Sequence, residues 1–171
     1  MQISRVCLLG GSGFIGRHVA ERLSGLGIGV IVPTRRRERA KFLLVLPTVD
    51  VVEADIHDDA SLKRLISGCD AVINLVGMLH AEKRTGFERV HVQLPQRVAA
   101  ACVKAGVPRL IQMSALNADT NAPSEYLQSR ARGEAAVREV AKGVPGLHVT
   151  MFRPSVVSAA ATNFSTCSRN W

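Results

Sequence analysis

The sequence predicts an α/β fold, a doubly wound parallel sheet, and three observations carry that expectation. Six short runs rich in Val, Ile and Leu recur along the chain, and runs apolar on both faces suit strands sandwiched between helical layers. Stretches with helical spacing separate them, and strand-helix alternation is the signature of parallel sheets built from crossover units. The 171 residues, 47% of them hydrophobic, suffice for one core and hardly for two, since domains run about 100 to 200 residues.

The strand-like runs lie at 5–10 (RVCLLG), 29–34 (GVIVPT), 49–53 (VDVVE), 71–76 (AVINLV), 109–114 (RLIQMS) and 147–152 (LHVTMF). Between them, helices are expected at 14–25, 36–44, 58–67, 86–105 and 124–142. Asp58 and Asp59 stand before the third helix, where anions suit the positive end of the helix; Gly68 follows it. Ala105-Gly106-Val107-Pro108 ends the fourth, because Gly accommodates the turn out of a helix and Pro cannot continue one. No internal repeat or linker interrupts the pattern before residue 157.

Composition narrows the class. Charged residues make up 21%, with 14 Gly and 7 Pro, which excludes collagen-like, disordered and low-complexity chains. Lys and Arg number 22 against 14 Asp and Glu, a net charge of +8, and such an excess directs attention to nucleic acid or an anionic membrane. Half of it, a net +4, comes from residues 35–41 (RRRERAK), so the excess is a local cluster. That cluster lacks interleaved aromatics or a nucleic-acid-binding module, so no nucleic acid is expected as a partner. Cys7, Cys69, Cys102 and Cys167 show neither zinc spacing nor a redox pair, and the five histidines have no metal-ligand spacing; no metal is expected, and the thiols fit a reducing compartment. His80, just past the fourth strand, is the one histidine worth testing; the others read as surface or packing residues. No leader pattern and no apolar segment of the roughly 18 to 20 residues that span a bilayer is present, so a cytoplasmic location is expected.

After the first strand comes Gly10-Gly11-Ser12-Gly13-Phe14-Ile15-Gly16. A glycine triplet alone is weak evidence, but here it follows a strand and opens a helix. That is the context of a phosphate-binding turn, in which missing side chains let backbone amides approach a pyrophosphate at the positive helix end. Gly10, Gly13 and Gly16 are the expected cofactor-binding glycines, with Phe14 and Ile15 contributing backbone amides while their side chains join the core. The fold is then of the Rossmann kind, with a dinucleotide as ligand. In folds specific for NAD, an Asp or Glu about 20 residues past the glycines binds the ribose hydroxyls. Here Val30-Ile31-Val32 is followed by Pro33-Thr34-Arg35-Arg36-Arg37. A guanidinium can clamp a 2′-phosphate that a carboxylate would repel, so Arg35 and Arg36 point to NADP(H) in preference to NAD(H). Arg37, Arg39 and Lys41 read as a solvated first helical turn.

The GxxGxxG spacing resembles the extended or atypical branch of the short-chain dehydrogenase/reductase superfamily, the group like NAD-dependent epimerases and dehydratases, and the resemblance covers residues 5–157. It implies that Asp55 and Ile56 contact the adenine, that Leu75, Val76 and Gly77 line the cofactor, and that Ser114 stands where the family carries its active-site serine or threonine. Arg153-Pro154-Ser155 is similar to the segment leading to the substrate region. More narrowly, several stretches are similar to relatives of the nucleotide-binding accessory subunit of respiratory complex I: Ile73-Asn74-Leu75-Val76-Gly77, Phe87-Glu88-Arg89-Val90, Pro95-Gln96, Ser114-Ala115-Leu116-Asn117-Ala118, and Tyr126-Leu127 followed by Gly133-Glu134. That likeness implies a structural or assembly role in a respiratory or membrane-associated complex, peripheral to the inner membrane.

Active members of the superfamily pair a Tyr with a Lys four residues later, the Tyr exchanging a proton with the substrate oxygen. This chain has Tyr126 followed by Arg130. On a helix the two share a face, and Arg is cationic, but it is bulkier and forks differently from an ammonium. Tyr126, Arg130 and Ser114 are therefore candidate catalytic residues of a weak reductase, or remnants in a chain that only binds the cofactor. The alternative is an active NAD(P)-dependent reductase or epimerase acting on a sugar nucleotide or a quinone-like substrate.

From Ser158 the pattern fails. Residues 158–171 (SAAATNFSTCSRNW) carry neither strand nor helix stripe, whereas the family continues with Phe-Gly, a polar stretch and an apolar helix. Synonymous codons exist with which a one-base shift reads Phe-Gly-Arg-Gly from 158–161 and Phe-Leu-Asn-Leu-Phe-Ala-Gln-Leu from 164–171. The expectation is a dinucleotide-binding domain at 1–157, a frameshifted tail at 158–171, and a truncated C-terminal substrate part.

Overall fold

The computed structural model describes residues 2–80 and 84–157. Six strands, β1 (Arg5–Leu9), β2 (Gly29–Thr34), β3 (Val49–Glu53), β4 (Ala71–Asn74), β5 (Arg109–Met113) and β6 (His148–Phe152), form one sheet in the order β3-β2-β1-β4-β5-β6. Every neighbouring pair is parallel, with Val6 of β1 opposite Val30 on one side and Ala71 on the other. The doubly wound expectation is met strand by strand.

The chain steps outward from β1 to β3 and then returns past β1 to β4. Right-handed crossovers then place the helices of the two halves on opposite faces. On one face α1 (Phe14–Gly25) and a 3-10 helix (Arg37–Leu43) bring Ala20, Ala40 and Leu43 onto Val6, Leu8, Val30 and Val32. On the other, α2 (Asp59–Ile66), a helix at Leu94–Ala105 and the helix Glu125–Ala141 bring Leu62, Leu94, Val98 and Val137 onto Leu9, Ile31, Val72 and Leu110. Cys7, Cys69 and Cys102 are buried in this second core. Between β1 and β4, where the winding reverses, the strand ends open a crevice of the type in which α/β folds bind ligands.

Caps fall where composition put them. The Asp58 carboxylate accepts a 2.8 Å bond from the Ser61 amide at the start of α2, and Gly106 turns out of its helix at φ 69°. Strand β4 stops at Asn74, two residues short of the apolar run, because the Asn74 side chain accepts from the Val76 amide and donates to Gln112 Oε1. The segment expected as a helix at 36–44 is instead a 3-10 helix with a break at Ala40 (φ −116°, ψ 15°). Seven residues with no side-chain cap are too few to sustain an α-helix, and short 3-10 turns are the usual connector.

The expected helix at 86–105 is a continuous helical run with a defect: α3 (Arg84–Phe87), a π-helical segment (Glu88–Gln93) and α4 (Leu94–Ala105). Pro95 is the cause on the sequence side. It has no N–H for the His91 carbonyl four residues before it, and its ring would clash with that oxygen in an α-helix. The widened turn moves the carbonyl toward α5 (Glu125–Ala141), where it occupies the position that a Cβ on Gly133 would need. The π segment and Gly133 are thus two halves of one packing solution.

Strand β6 alternates: Val149 and Met151 pack on the α4 and α5 side, whereas His148, Thr150 and Phe152 are exposed.

Candidate functional site

The glycine-rich turn lies at the crevice. Gly10 has φ +81°, and a Cβ there would stand 3.1 Å from the Leu75 carbonyl carbon and the Val76 amide nitrogen. The turn therefore presses against the segment leaving β4, and Gly10, Leu75 and Val76 meet directly. Gly13 caps α1 in an extended conformation without a side-chain bond; its amide donates to the Gly10 carbonyl at 3.0 Å. At Gly16 a Cβ would clash with the Gly10 carbonyl oxygen and the Gly11 Cα, so α1 can approach the turn only at a glycine. The amides of Phe14, Ile15 and Gly16 open α1, where intrahelical acceptors are missing, and no acidic side chain occupies the first turn. Arg17 stands there instead, its Nε buried without a hydrogen-bond partner among the described residues. Gly11, which spacing alone did not mark, has its own reason: a Cβ would fall 2.7 Å from a methyl of Val32.

Arg35 and Arg36 follow β2 at its carboxyl end, exposed, and neither forms an ion pair with a described residue. Buried Thr34 fixes their start, its hydroxyl accepting from the Arg36 amide and donating to the Arg36 carbonyl. Asp55 is exposed beyond β3 and accepts from the His57 amide at 2.8 Å, while Ile56 packs on the core. Burial lowers the His57 pKa, and the positive charges of Arg89, Arg97 and Arg35 lower it further against the opposing pull of Asp55. The ends of β2 and β3 thus share one basic neighbourhood. Arg97 is already engaged by Asp59 at 2.6 Å.

Tyr126, Arg130 and Glu134 lie at successive i, i+4 positions along α5, on one face. Arg130 is only 7% exposed; its Nη1 donates to the Met113 carbonyl at 3.2 Å, and its guanidinium carbon lies 5.4 Å from the Tyr126 ring centre. It also lies against Gly77, where any Cβ would collide with it. Tyr126, Arg130 and Gly77 are therefore brought together. Ser114 belongs to a different set of bonds: its hydroxyl donates to Glu134 Oε1 at 2.6 Å. The buried Glu134 carboxylate also receives Arg153 through Nε and Nη2, each at 2.7 Å, and Arg138 at 2.8 Å. Burial resists its ionisation, but the bonds from Arg153 and Ser114 and the two guanidinium charges outweigh that, and its pKa is lowered.

His91 is the residue that sequence reasoning passed over. It is 1% exposed, its Nε2 accepts from the Met78 amide at 3.1 Å, and its Nδ1 lies 2.9 Å from Ser129 Oγ. Burial and the neighbouring Arg130 charge push its pKa down to about 3, so the ring is neutral. Its packing role was legible only as a default, and its bonding was not. His80 is exposed, and residues 158–171, with the tail expectation, lie outside the described residues. Among the described residues no group of three His, Cys, Asp or Glu is placed to hold a metal ion, and no helix is long and apolar enough to cross a membrane.

Comparison with known proteins agrees with this geometry. The family model described as "NAD dependent epimerase/dehydratase family" matches residues 6–168. The NADH-ubiquinone oxidoreductase 40 kDa subunit, mitochondrial, of Neurospora crassa is 34% identical over 136 residues, 78% of this chain and 36% of that protein. Ceramide reductase of Caulobacter vibrioides is 35% identical over 133 residues, 78% of this chain and 41% of that protein. The structure of UDP-glucuronic acid 4-epimerase from Bacillus cereus in complex with NAD superposes with a TM-score of 0.76 at 16% identity, over 88% of this chain and 56% of that one; at that identity the likeness shows the fold. The chain spans well under half the length of these two sequence relatives. With the family match running through nearly its whole length, a parallel sheet in the order β3-β2-β1-β4-β5-β6 and a glycine turn at the reversal point, the chain belongs to the NAD dependent epimerase/dehydratase family, whose members are built on a nicotinamide-dinucleotide-binding Rossmann fold.

Proposed function

We propose that the chain is an NADP(H)-binding, atypical short-chain dehydrogenase/reductase-like protein with a structural or assembly role like that of the complex I accessory subunit, or with weak reductase activity. The observation that carries the cofactor choice is the exposed Arg35-Arg36 pair at the end of β2, without a carboxylate partner among the described residues, at the place where an NAD-binding fold holds an acidic residue. The turn suits a pyrophosphate: glycine at 10 and 16 lets the segment after β4 and helix α1 close on it, and the first turn of α1 offers amides and no competing anion. In this reading Gly10, Gly13 and Gly16, with the Phe14 and Ile15 amides, hold the pyrophosphate. Arg35 and Arg36 hold the 2′-phosphate, Asp55 and Ile56 meet the adenine, and Leu75, Val76 and Gly77 line the nicotinamide half. The bound dinucleotide would supply hydride chemistry. In the same reading residues 1–157 form the binding domain and 158–171 an aberrant tail of frameshift origin.

The role in a complex is supported by the mitochondrial subunit among the relatives, and that likeness also favours a site peripheral to the inner membrane. A second reading, an active NAD(P)-dependent reductase or epimerase with a sugar-nucleotide or quinone-like substrate, is favoured by the Tyr126 and Arg130 pairing and by the reductase among the relatives. Titration with NADPH and NADH tests the first: Arg35→Ala should weaken NADPH by about ten- to a hundredfold, the worth of a charge-assisted bond, and leave NADH unchanged. Equal losses for both would remove the 2′-phosphate assignment. Turnover of NADPH that vanishes in Tyr126→Phe would move the balance to the second reading.

A further inference from the structure

One residue of the π segment, His91, is fully buried. The shift forced by Pro95 brings His91 between the end of β4 and the start of α5, and the bonds it makes there have only one consistent direction. Its Nε2 faces the Met78 amide, which can only donate, so the ring proton of neutral His91 must be on Nδ1. Nδ1–H therefore donates to Ser129 Oγ, and the Ser129 hydroxyl donates in turn to the Tyr126 carbonyl at 2.8 Å. The ring itself stands edge-on to Tyr126 at 5.5 Å and against Phe87 at 5.3 Å. One end of this chain adjoins Gly77, next to Met78; the other is the Tyr126 backbone.

We propose that His91 is a positioning residue that couples the Leu75–Met78 segment to Tyr126, so that filling the dinucleotide site changes the seating of the tyrosine. The inference rests on the proposal that residues 75–77 line a bound dinucleotide, and it adds a route by which that segment acts on α5. Two features make the route stiff. His91 is fully enclosed, so its ring cannot turn away, and its backbone is wedged against Gly133 on the same helix that carries Tyr126. Both ring nitrogens of His91 and the Ser129 hydroxyl are bonded, so a movement of the Met78 amide must be followed by His91 or must break a buried bond.

Tyr126 is the only tyrosine in the sequence, so 3-fluorotyrosine labelling of the full chain gives a single fluorine resonance that reports on this ring. The probe is 2′-phosphoadenosine 5′-diphosphate, which has the 2′-phosphate and the diphosphate of the adenosine half of NADPH but neither the nicotinamide nor its ribose, so it acts on Tyr126 through the glycine turn that presses on Leu75 and Val76. In the wild-type chain its binding should shift the resonance. In His91→Phe, which keeps an aromatic ring but no bonds, and in Ser129→Ala, which removes one hydroxyl and tests the route even where the first variant folds poorly, the shift should fall below half while affinity for the probe is kept. His91→Gln, able to accept from Met78 and donate to Ser129, should restore it. Binding without a shift in the wild type, or a full shift in Ser129→Ala, overturns the coupling. Absence of binding to the wild type overturns the dinucleotide reading itself and the inference with it.

Discussion

At Gly16 the neighbours of an added Cβ are backbone atoms, the Gly10 carbonyl and the Gly11 Cα. Backbone cannot swing aside as a flexible side chain can, so a methyl group must lift α1 away from the turn. Gly16→Ala should therefore cost about 1 to 3 kcal/mol of stability and, because the amides of the first turn move with the helix, weaken NADPH at least about tenfold. Gly25→Ala is the matched control: no atom of the described residues lies within 4 Å of its Cβ position, and the change should be neutral or add up to about 1 kcal/mol. Calorimetric melting and NADPH titration of both variants check this. Wild-type affinity in Gly16→Ala would mean that the cradle is not where phosphate sits.

Helix α5 is held to the sheet by Glu134, which joins Ser114 at the end of β5 to Arg153 just past β6. Glu134→Gln keeps an acceptor for Ser114 but removes the charge that balances two guanidinium groups. Because Arg138 and Arg153 are 59% and 44% exposed, they can turn to water, and the loss should be about 1 to 3 kcal/mol, below that of a fully enclosed pair. A melting temperature lower by about 2 to 4 °C for each of those kcal/mol is the expected reading; an unchanged value would show that the fork only decorates the surface. Elements of this kind divide what a sequence discloses from what it conceals. The strands and helices were legible because their periodicities are local. The π segment was not, because the apolar stripe of 86–105 runs on through it, and its cause lies in Pro95 acting with Gly133, 38 positions away. The glycine turn was readable at each position except Gly11, whose partner Val32 is on another strand. Glu134 and His91 were hidden because polar residues carry no local mark of burial, and Ser114 could be placed at a strand end but not assigned its carboxylate partner.

Across the whole molecule, stability should fall in mild acid. His91 has a folded pKa of about 3 against an ordinary 6.5, so between those values the unfolded chain binds a proton that the folded chain refuses. Stability contributed by the neutral ring is complete above pH 6.5 and declines as pH falls toward 3, by at most about 1.4 kcal/mol per pH unit. Glu134, whose folded pKa is depressed, adds its own loss below about pH 4.5. Denaturant melts of the wild type and His91→Gln between pH 7 and 4.5 should show the steeper decline in the wild type, and parallel curves would contradict it. Burial has another effect on the three thiols of the larger core. It pushes Cys102 up to about 12 and raises Cys69 and Cys7 as well, so almost none of the reactive thiolate exists while the sheet is closed. Oxidants and alkylating agents meet Cys7 and Cys102 only when β1 or α4 comes away. The rate at which Cys7 and Cys102 are modified is then a clock for the opening of the central strand and of the helical layer above it, and it carries no information about the redox state of the surroundings.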